Sequence, residues 1–253
     1  MEKNNKINQL LQSWPPNAVY LTAWLKQQGY STQLLNRYKK SQWIVALGNG
    51  AMLKAGDKPT IAGALFALQQ QAGLSVHPAA KTALQLAGKA HYLAMGQQSY
   101  ILFGNSKETL PAWVKKHPWQ EELKYVKSAF LPAGIGMVEQ QIMGLPIKIS
   151  GAARALMECL YLAPQYQDLQ ECYEIMEGLN NLRPKVVQQL LEQCTSIKVK
   201  RLFLYLAKKA GHQWLAFLNL ENIYLGKGKR KIVDNGAYIP EFKITVPKSL
   251  AHG

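Results

Sequence analysis

Acidic residues are scarce in this chain: 15 Asp and Glu stand against 30 Lys and Arg, a formal net charge of +15. The partner to expect is a polyanion. Cysteine is scarcer still. Cys159, Cys172 and Cys194 are odd in number, widely spaced and free of any Cys-x-x-Cys pattern. That excludes a disulfide framework or a zinc site and leaves three buried, small apolar residues. Long hydrophobic runs are also missing. None approaches the roughly 18 residues of a membrane span, and Met-Glu-Lys-Asn-Asn-Lys is followed by no apolar stretch of signal-peptide type. A cytoplasmic protein is expected.

Catalytic patterns are thin as well. The phosphate-binding Gly-x-x-x-x-Gly-Lys-Ser/Thr loop is absent, and no Gly-x-Gly-x-x-Gly follows a strand. Gly48-x-Gly50, Gly134-x-Gly136 and Gly226-x-Gly228 read as turns or wings. His77, His91, His117, His212 and His252 lack metal-ligand spacing, so each is read as structural or exposed. Glu171, Glu174 and Glu177 recur three apart and read as a solvated acidic face. No active site, no metal and no cofactor are expected, and the chain is not read as an enzyme.

What is present is a globular composition, 48% hydrophobic with 18% charged residues over 253 positions, long enough for two domains. The most informative segment runs from Ser31 to Ser41. At about 100° per residue, Leu34, Leu35 and Tyr38 share one arc, while Thr32, Gln33, Asn36, Arg37 and Lys40 fill the opposite one. The first arc wants a core. The second carries the amide, hydroxyl and guanidinium groups that read base edges in a major groove. A basic amphipathic helix is more often a solvated helix on a core, so its neighbours must decide.

Upstream, Ile7, Leu10, Leu11 and Trp14 give amphipathic turns before Pro15-Pro16. A helix is expected over Ala18 to Gln28, with Leu21, Trp24 and Leu25 inward and Gly29 ending it; Ser31 then caps the next. Two apolar runs around Gly48-Asn49-Gly50 predict a β-hairpin. Three helices and a hairpin make a winged helix-turn-helix. The charge agrees, since residues 1 to 118 carry 13 basic and 3 acidic groups.

Beyond the wing, helices are expected over Pro59 to Ala72, with Ile61, Leu65 and Leu68 inward, and within Pro78 to Leu86. A second hairpin is expected from residues 90 to 95 and 99 to 104 around Gly96, closing the first domain near residue 95. An irregular segment marked by Trp113, Pro118 and Trp119 follows, then strand-like Lys124 to Leu131 and Met137 to Ile149. Helices are predicted over Ala152 to Leu162, from Asp168 with Glu171 as a capping box to Leu182, from Pro184, and from Ser196 to Ala210. Strand-like runs return over Asn222 to Pro247. The fold class is therefore α+β: an N-terminal winged helix-turn-helix domain over 1–95 and a mixed, largely helical C-terminal domain with flanking strands over 96–253.

Basic residues gather again at the end, 11 against 3 acidic over residues 193 to 253. Lys198, Lys200, Arg201, Lys208 and Lys209 fall on one helix, expected to flank an apolar face of Leu202, Phe203, Tyr205 and Leu206. Lys227, Lys229, Arg230 and Lys231 fall in a Gly-punctuated loop, whose flexible backbone and cations can follow a phosphate chain or an acidic protein surface.

The chain resembles the AbiEi-type antitoxins of type IV toxin-antitoxin (abortive infection) systems, in the subgroup with a transcriptional-regulator N-terminal domain. The matching stretches span nearly the whole length in order. They are Leu21 to Lys54; Ala67-Leu-Gln-Gln-Gln through His77; Lys81-Thr-Ala-Leu; Gly88 to His91-Tyr-Leu; and Leu110-Pro-Ala-Trp113. Further on come Gly144-Leu-Pro-Ile-Lys-Ile-Ser150 with Arg154-Ala-Leu-Met-Glu158, Val199 to Leu206 with Lys209-Ala-Gly-His212, and Leu225-Gly-Lys-Gly-Lys-Arg230 with Ile244-Thr-Val-Pro247. One departure is His77-Pro-Ala-Ala, where similar proteins often have His followed by a glycine pair.

The resemblance implies repression of the protein's own operon through repeats in its promoter. It also implies a phage-defence role in counteracting a companion nucleotidyltransferase-like toxin through the C-terminal domain, with no stable complex required. On the residues themselves, Thr32, Gln33, Asn36, Arg37 and Lys40 are expected to face the major groove, and Lys39, Lys54 and Asn49 to contact backbone or minor groove. The C-terminal cations are assigned to a second DNA contact or to antitoxicity. Two other readings stay open: a one-component regulator whose C-terminal half senses a small molecule, and an RNA-binding protein.

Overall fold

A computed structural model describes residues 3–88 and 99–251. The expected strand over residues 90 to 95, the turn at Gly96, the closure near residue 95, His91 and His252 lie outside the described residues. The chain is α+β and divides into two compact units. One comprises residues 1–77, 103–127 and 139–148; the other comprises 78–102, 128–138 and 149–253.

The first unit opens with α1 (Lys3–Ser13), β1 (Tyr20–Leu21), α2 (Thr22–Gln27), α3 (Thr32–Lys40), β2 (Ile44–Gly48) and β3 (Ala51–Lys54). The expected helix over 18 to 28 is thus shorter, because Tyr20 and Leu21 are extended. They pair antiparallel with Met52 and Ala51, making β3 the centre of a three-stranded sheet with β2 on its other side. A clamp holds β1 in place: the Gln71 amide donates to the Val19 carbonyl at 2.9 Å, and its oxygen accepts the Leu21 N–H at 2.7 Å. Trp14, 2% exposed, donates its indole N–H to the Ala18 carbonyl at 2.7 Å, closing the corner after Pro15-Pro16.

The helix expected from Pro59 to Ala72 is Ile61–Phe66, capped by the Thr60 hydroxyl and continued by a π turn over Ala67–Gln71. Its Gly63 lies against the Asn17 carbonyl so closely that a Cβ would overlap that oxygen. The stretch read as irregular contains a short helix, Ala112–Lys116, which packs on β2. The strand expected from Lys124 to Leu131 is Leu123–Lys127. Met137 to Ile149 is not one run but a hairpin, Met137–Ile142 and Leu145–Ser150, turned by Met143 and Gly144 at positive φ. The Gln69 side chain both donates to and accepts from the Lys148 backbone at 2.9 Å, tying this hairpin into the unit.

The second unit is built around the helix Ala152–Leu162, against which Ala80–Leu86, Leu169–Glu177, Pro184–Gln193 and Ile197–Lys209 pack. Inside that core is an ion pair, Arg154 Nε to Glu158 Oε1 at 3.0 Å. It is supported by the Ser150 hydroxyl and the Ala80 N–H on Glu158 and by the Pro132 and Ile135 carbonyls on Arg154. Such a pair is tolerable in low dielectric only because its remaining donors and acceptors are matched. Asp168 caps its helix as expected, accepting from the Gln170 and Glu171 N–H groups. The helix stops at Glu177, before Gly178, rather than at Leu182. Glu171 departs from the solvated acidic face expected of it, binding Lys81 at 3.0 Å and Gln167. The tail forms a small sheet in which Ile244–Val246 lies between Ala237–Ile239 and Arg230–Lys231. No described helix is long and apolar enough to cross a membrane.

Candidate nucleic-acid interface

The placement of α3 begins with the turn before it. Gly29 adopts φ +86°, its N–H bonds to the Lys26 carbonyl, and the Tyr30 N–H bonds to the Leu25 carbonyl. These two bonds close α2 in a Schellman motif and redirect the chain within two residues. Ser31 then caps α3, its hydroxyl accepting the Leu34 N–H at 3.2 Å.

The helix sorts its faces as its sequence predicts. Leu35 is 1% and Tyr38 4% exposed, and Leu34 is half-buried. Thr32, Gln33, Asn36, Arg37, Lys39 and Lys40 are all exposed. Because Thr32, Asn36 and Lys40 recur every four residues, with Gln33 and Arg37 beside them, they form a continuous polar stripe. Burial pushes the Tyr38 phenol above its ordinary value; nearby Tyr30 pushes the same way, and Arg37 pulls it back.

The wing contributes less uniformly. Asn49 is exposed at the hairpin turn, whereas Lys54, at the end of β3, is half-buried. Trp43, immediately before β2, is 51% exposed, with Val45 exposed two positions on and Ile44 buried between them. That alternation puts both on the outward side of the hairpin, and it is the signal in the sequence that marks them.

The two clusters of C-terminal cations differ in exposure. Lys198, Lys200 and Arg201 do not flank the apolar face of their helix; Lys200 is 3% and Arg201 1% exposed. Arg201 spends its guanidinium on four carbonyls, those of Leu225, Gly226, Gly228 and Lys243. Lys198 donates to the Tyr161 and Ala163 carbonyls at 2.8 and 2.5 Å, and burial pushes its ammonium pKa down. Lys208 is exposed and pairs with Glu241 at 2.6 Å, while Lys209 sits 5.4 Å from the Tyr173 ring. Lys227, Lys229, Arg230 and Lys231 are exposed in the loop. The three cysteines are free and buried, and among the described residues no cluster of His, Cys, Asp and Glu is fit to hold a metal.

A compact α+β unit that presents a capped helix with a polar, cationic stripe, beside a turned hairpin, defines a protein of the transcriptional-regulator class. Two family models account for the chain: "Transcriptional regulator, AbiEi antitoxin N-terminal domain" matches residues 3–95, and "Transcriptional regulator, AbiEi antitoxin, Type IV TA system" matches residues 97–247. The chain belongs to the AbiEi family of antitoxins and transcriptional regulators of type IV toxin-antitoxin systems. Among solved structures it is similar to the RV2827C protein from Mycobacterium tuberculosis, with a TM-score of 0.57 at 11% identity over 94% of this chain and 88% of that one. That likeness concerns the fold alone. No curated protein matches the sequence.

Proposed function

We propose that the protein represses its own operon by binding repeats in the promoter through a winged helix-turn-helix within residues 1–95. We propose further that residues 96–253 counteract a nucleotidyltransferase-like toxin without forming an obligatory complex with it. The observation that carries the DNA-binding half is the stripe on α3: five exposed polar or cationic side chains on a helix whose opposite face is sealed into a core. The order α1, β1, α2, α3, β2, β3 is the order a winged helix requires.

In this reading Thr32, Gln33, Asn36, Arg37 and Lys40 enter the major groove. Arg37 pairs with a guanine, and Asn36 or Gln33 with an adenine. Lys39, Asn49 and Lys54 touch the backbone or the minor groove and set the register. The test is a salt-titrated gel shift of the full chain and of Arg37→Ala on the DNA upstream of the gene, against a scrambled duplex. Loss of a bidentate base contact weakens binding by about 1–3 kcal/mol and relaxes sequence preference. Equal affinity of the wild type for both duplexes, with a steep salt slope, would leave α3 as no more than a basic surface.

A further inference from the structure

The exposed cations near the C-terminus are interleaved with exposed aromatic rings, and the arrangement is built rather than incidental. In the tail sheet, Thr245 pairs with Tyr238 on one side and with Lys231 on the other. Paired residues share a face, and the neighbours of Thr245, Ile244 and Val246, are both fully buried. Tyr238, Thr245 and Lys231 therefore lie on the outward face. Lys229 stands over the Tyr238 ring at 4.9 Å, while Tyr224, 66% exposed, has the buried Lys200 beneath it at 6.0 Å and the exposed Lys227 and Lys229 further along its loop.

The backbone beneath is fixed. The four carbonyls that Arg201 holds belong to the loop carrying Lys227 and Lys229 and to Lys243 at the head of the central strand. The Arg230 N–H bonds the Lys243 carbonyl at 2.8 Å. A buried guanidinium thus sets the spacing between the loop cations and the sheet. Acidic neighbours are few: Asp234 pairs with Lys231, and Glu241 with Lys208. Lys227, Lys229, Arg230 and Lys243 are all exposed.

We propose that this face is a binding site for single-stranded nucleic acid, distinct in its ligand from α3. Bases stack on Tyr238 and Tyr224, and the phosphate chain runs along Lys227, Lys229, Arg230 and Lys231. Rings offered to solvent among exposed cations favour a single strand, because only an unpaired base has a free π-face to stack while its phosphate meets a cation. A duplex keeps its bases out of reach, and an acidic protein would use the cations and leave the rings idle.

The proposal is tested by fluorescence anisotropy on the full chain carrying Asn36→Ala, Arg37→Ala and Lys40→Ala, so that binding through α3 does not contribute. The probes are labelled oligouridylate and oligothymidylate of about 12 nucleotides and a duplex of equal length. Expected is binding of the single strands in preference to the duplex. Tyr238→Ala weakens it about 5-fold or more and Tyr238→Phe leaves it unchanged. Joint replacement of Lys229, Arg230 and Lys231 by alanine flattens the salt dependence. Tighter binding of oligouridylate marks RNA as the source, and of oligothymidylate DNA; either supports the site. Duplex bound as tightly as single strand, no binding of any probe, or equal affinity in Tyr238→Ala and wild type overturns it. Because α3 is disabled throughout, none of these outcomes depends on the promoter-binding reading. Thermal melting of each variant separates lost binding from lost fold, and the conservative Tyr238→Phe guards against the same confusion.

Discussion

Tyr38 anchors α3 with a ring that is almost fully buried, yet its hydroxyl finds no hydrogen-bond partner among the described residues. A buried, unpaired hydroxyl costs about 1–3 kcal/mol. Tyr38→Phe is therefore expected to leave the thermal midpoint unchanged or raise it, while promoter binding persists; a clear fall would show that the hydroxyl is satisfied by solvent. Single residues also show where the sequence misleads. The exposed set on α3 was legible because all the information lies within nine consecutive positions and one helical period. Arg201 was not: its four partners lie 24 to 42 positions away. A cation beside an apolar run reads as a surface residue until the carbonyls that pay its desolvation are known. The reverse held for the cysteines, whose burial follows from isolation in apolar surroundings.

Among elements, the turn between α2 and α3 has the narrowest tolerance. Gly29 sits at φ +86° with open space around the position of a Cβ, so a substitution meets no neighbour and the cost is conformational. Gly29→Ala is expected to destabilise the chain by about 1 kcal/mol, read as a lower urea midpoint; an unchanged midpoint would mean the turn re-forms another way. The two-residue β1 could not be read from the sequence, because nothing local makes Tyr20 and Leu21 extended. Their conformation comes from pairing with Met52 and Ala51 and from the Gln71 clamp. The hairpin over 137–150 was hidden for a different reason: of the two residues that turn it at positive φ, Met143 at +52° and Gly144 at +78°, the first is a residue type that rarely marks a turn. Ala80 is a similar case. At φ +49° it holds a left-handed conformation without being a glycine. Ala80→Gly should raise the thermal midpoint slightly, relief of the left-handed strain outweighing glycine's entropy; a drop would show that the Ala80 methyl is worth more than the strain.

For the whole molecule, buried groups set the response to alkali. Burial raises the phenols of Tyr20, Tyr38 and Tyr205 above 10.0 and the thiols of Cys159, Cys172 and Cys194 above 9.0. The folded chain keeps protons there that the unfolded chain releases, so this contribution is complete below about pH 8 and lost as pH rises beyond it. Lys198 and Lys200, pushed below 10.5 by burial, act in the opposite sense over the interval beneath 10.5, and they are outnumbered. The urea midpoint should fall between about pH 8 and about pH 10.5; a rise would make the lysines dominant.

The chain passes between its two units at residues 77–78, 102–103, 127–128, 138–139 and 148–149. Synthesis runs in one direction, and domains assemble as their parts emerge. The unit that bears α3 waits for Ala112–Lys116 and for the hairpin that Gln69 captures through Lys148. A ribosome must therefore deliver more than half of the polypeptide before that unit has all its parts. Interrupted translation yields fragments holding every residue of α3 without the scaffold that keeps its stripe in place.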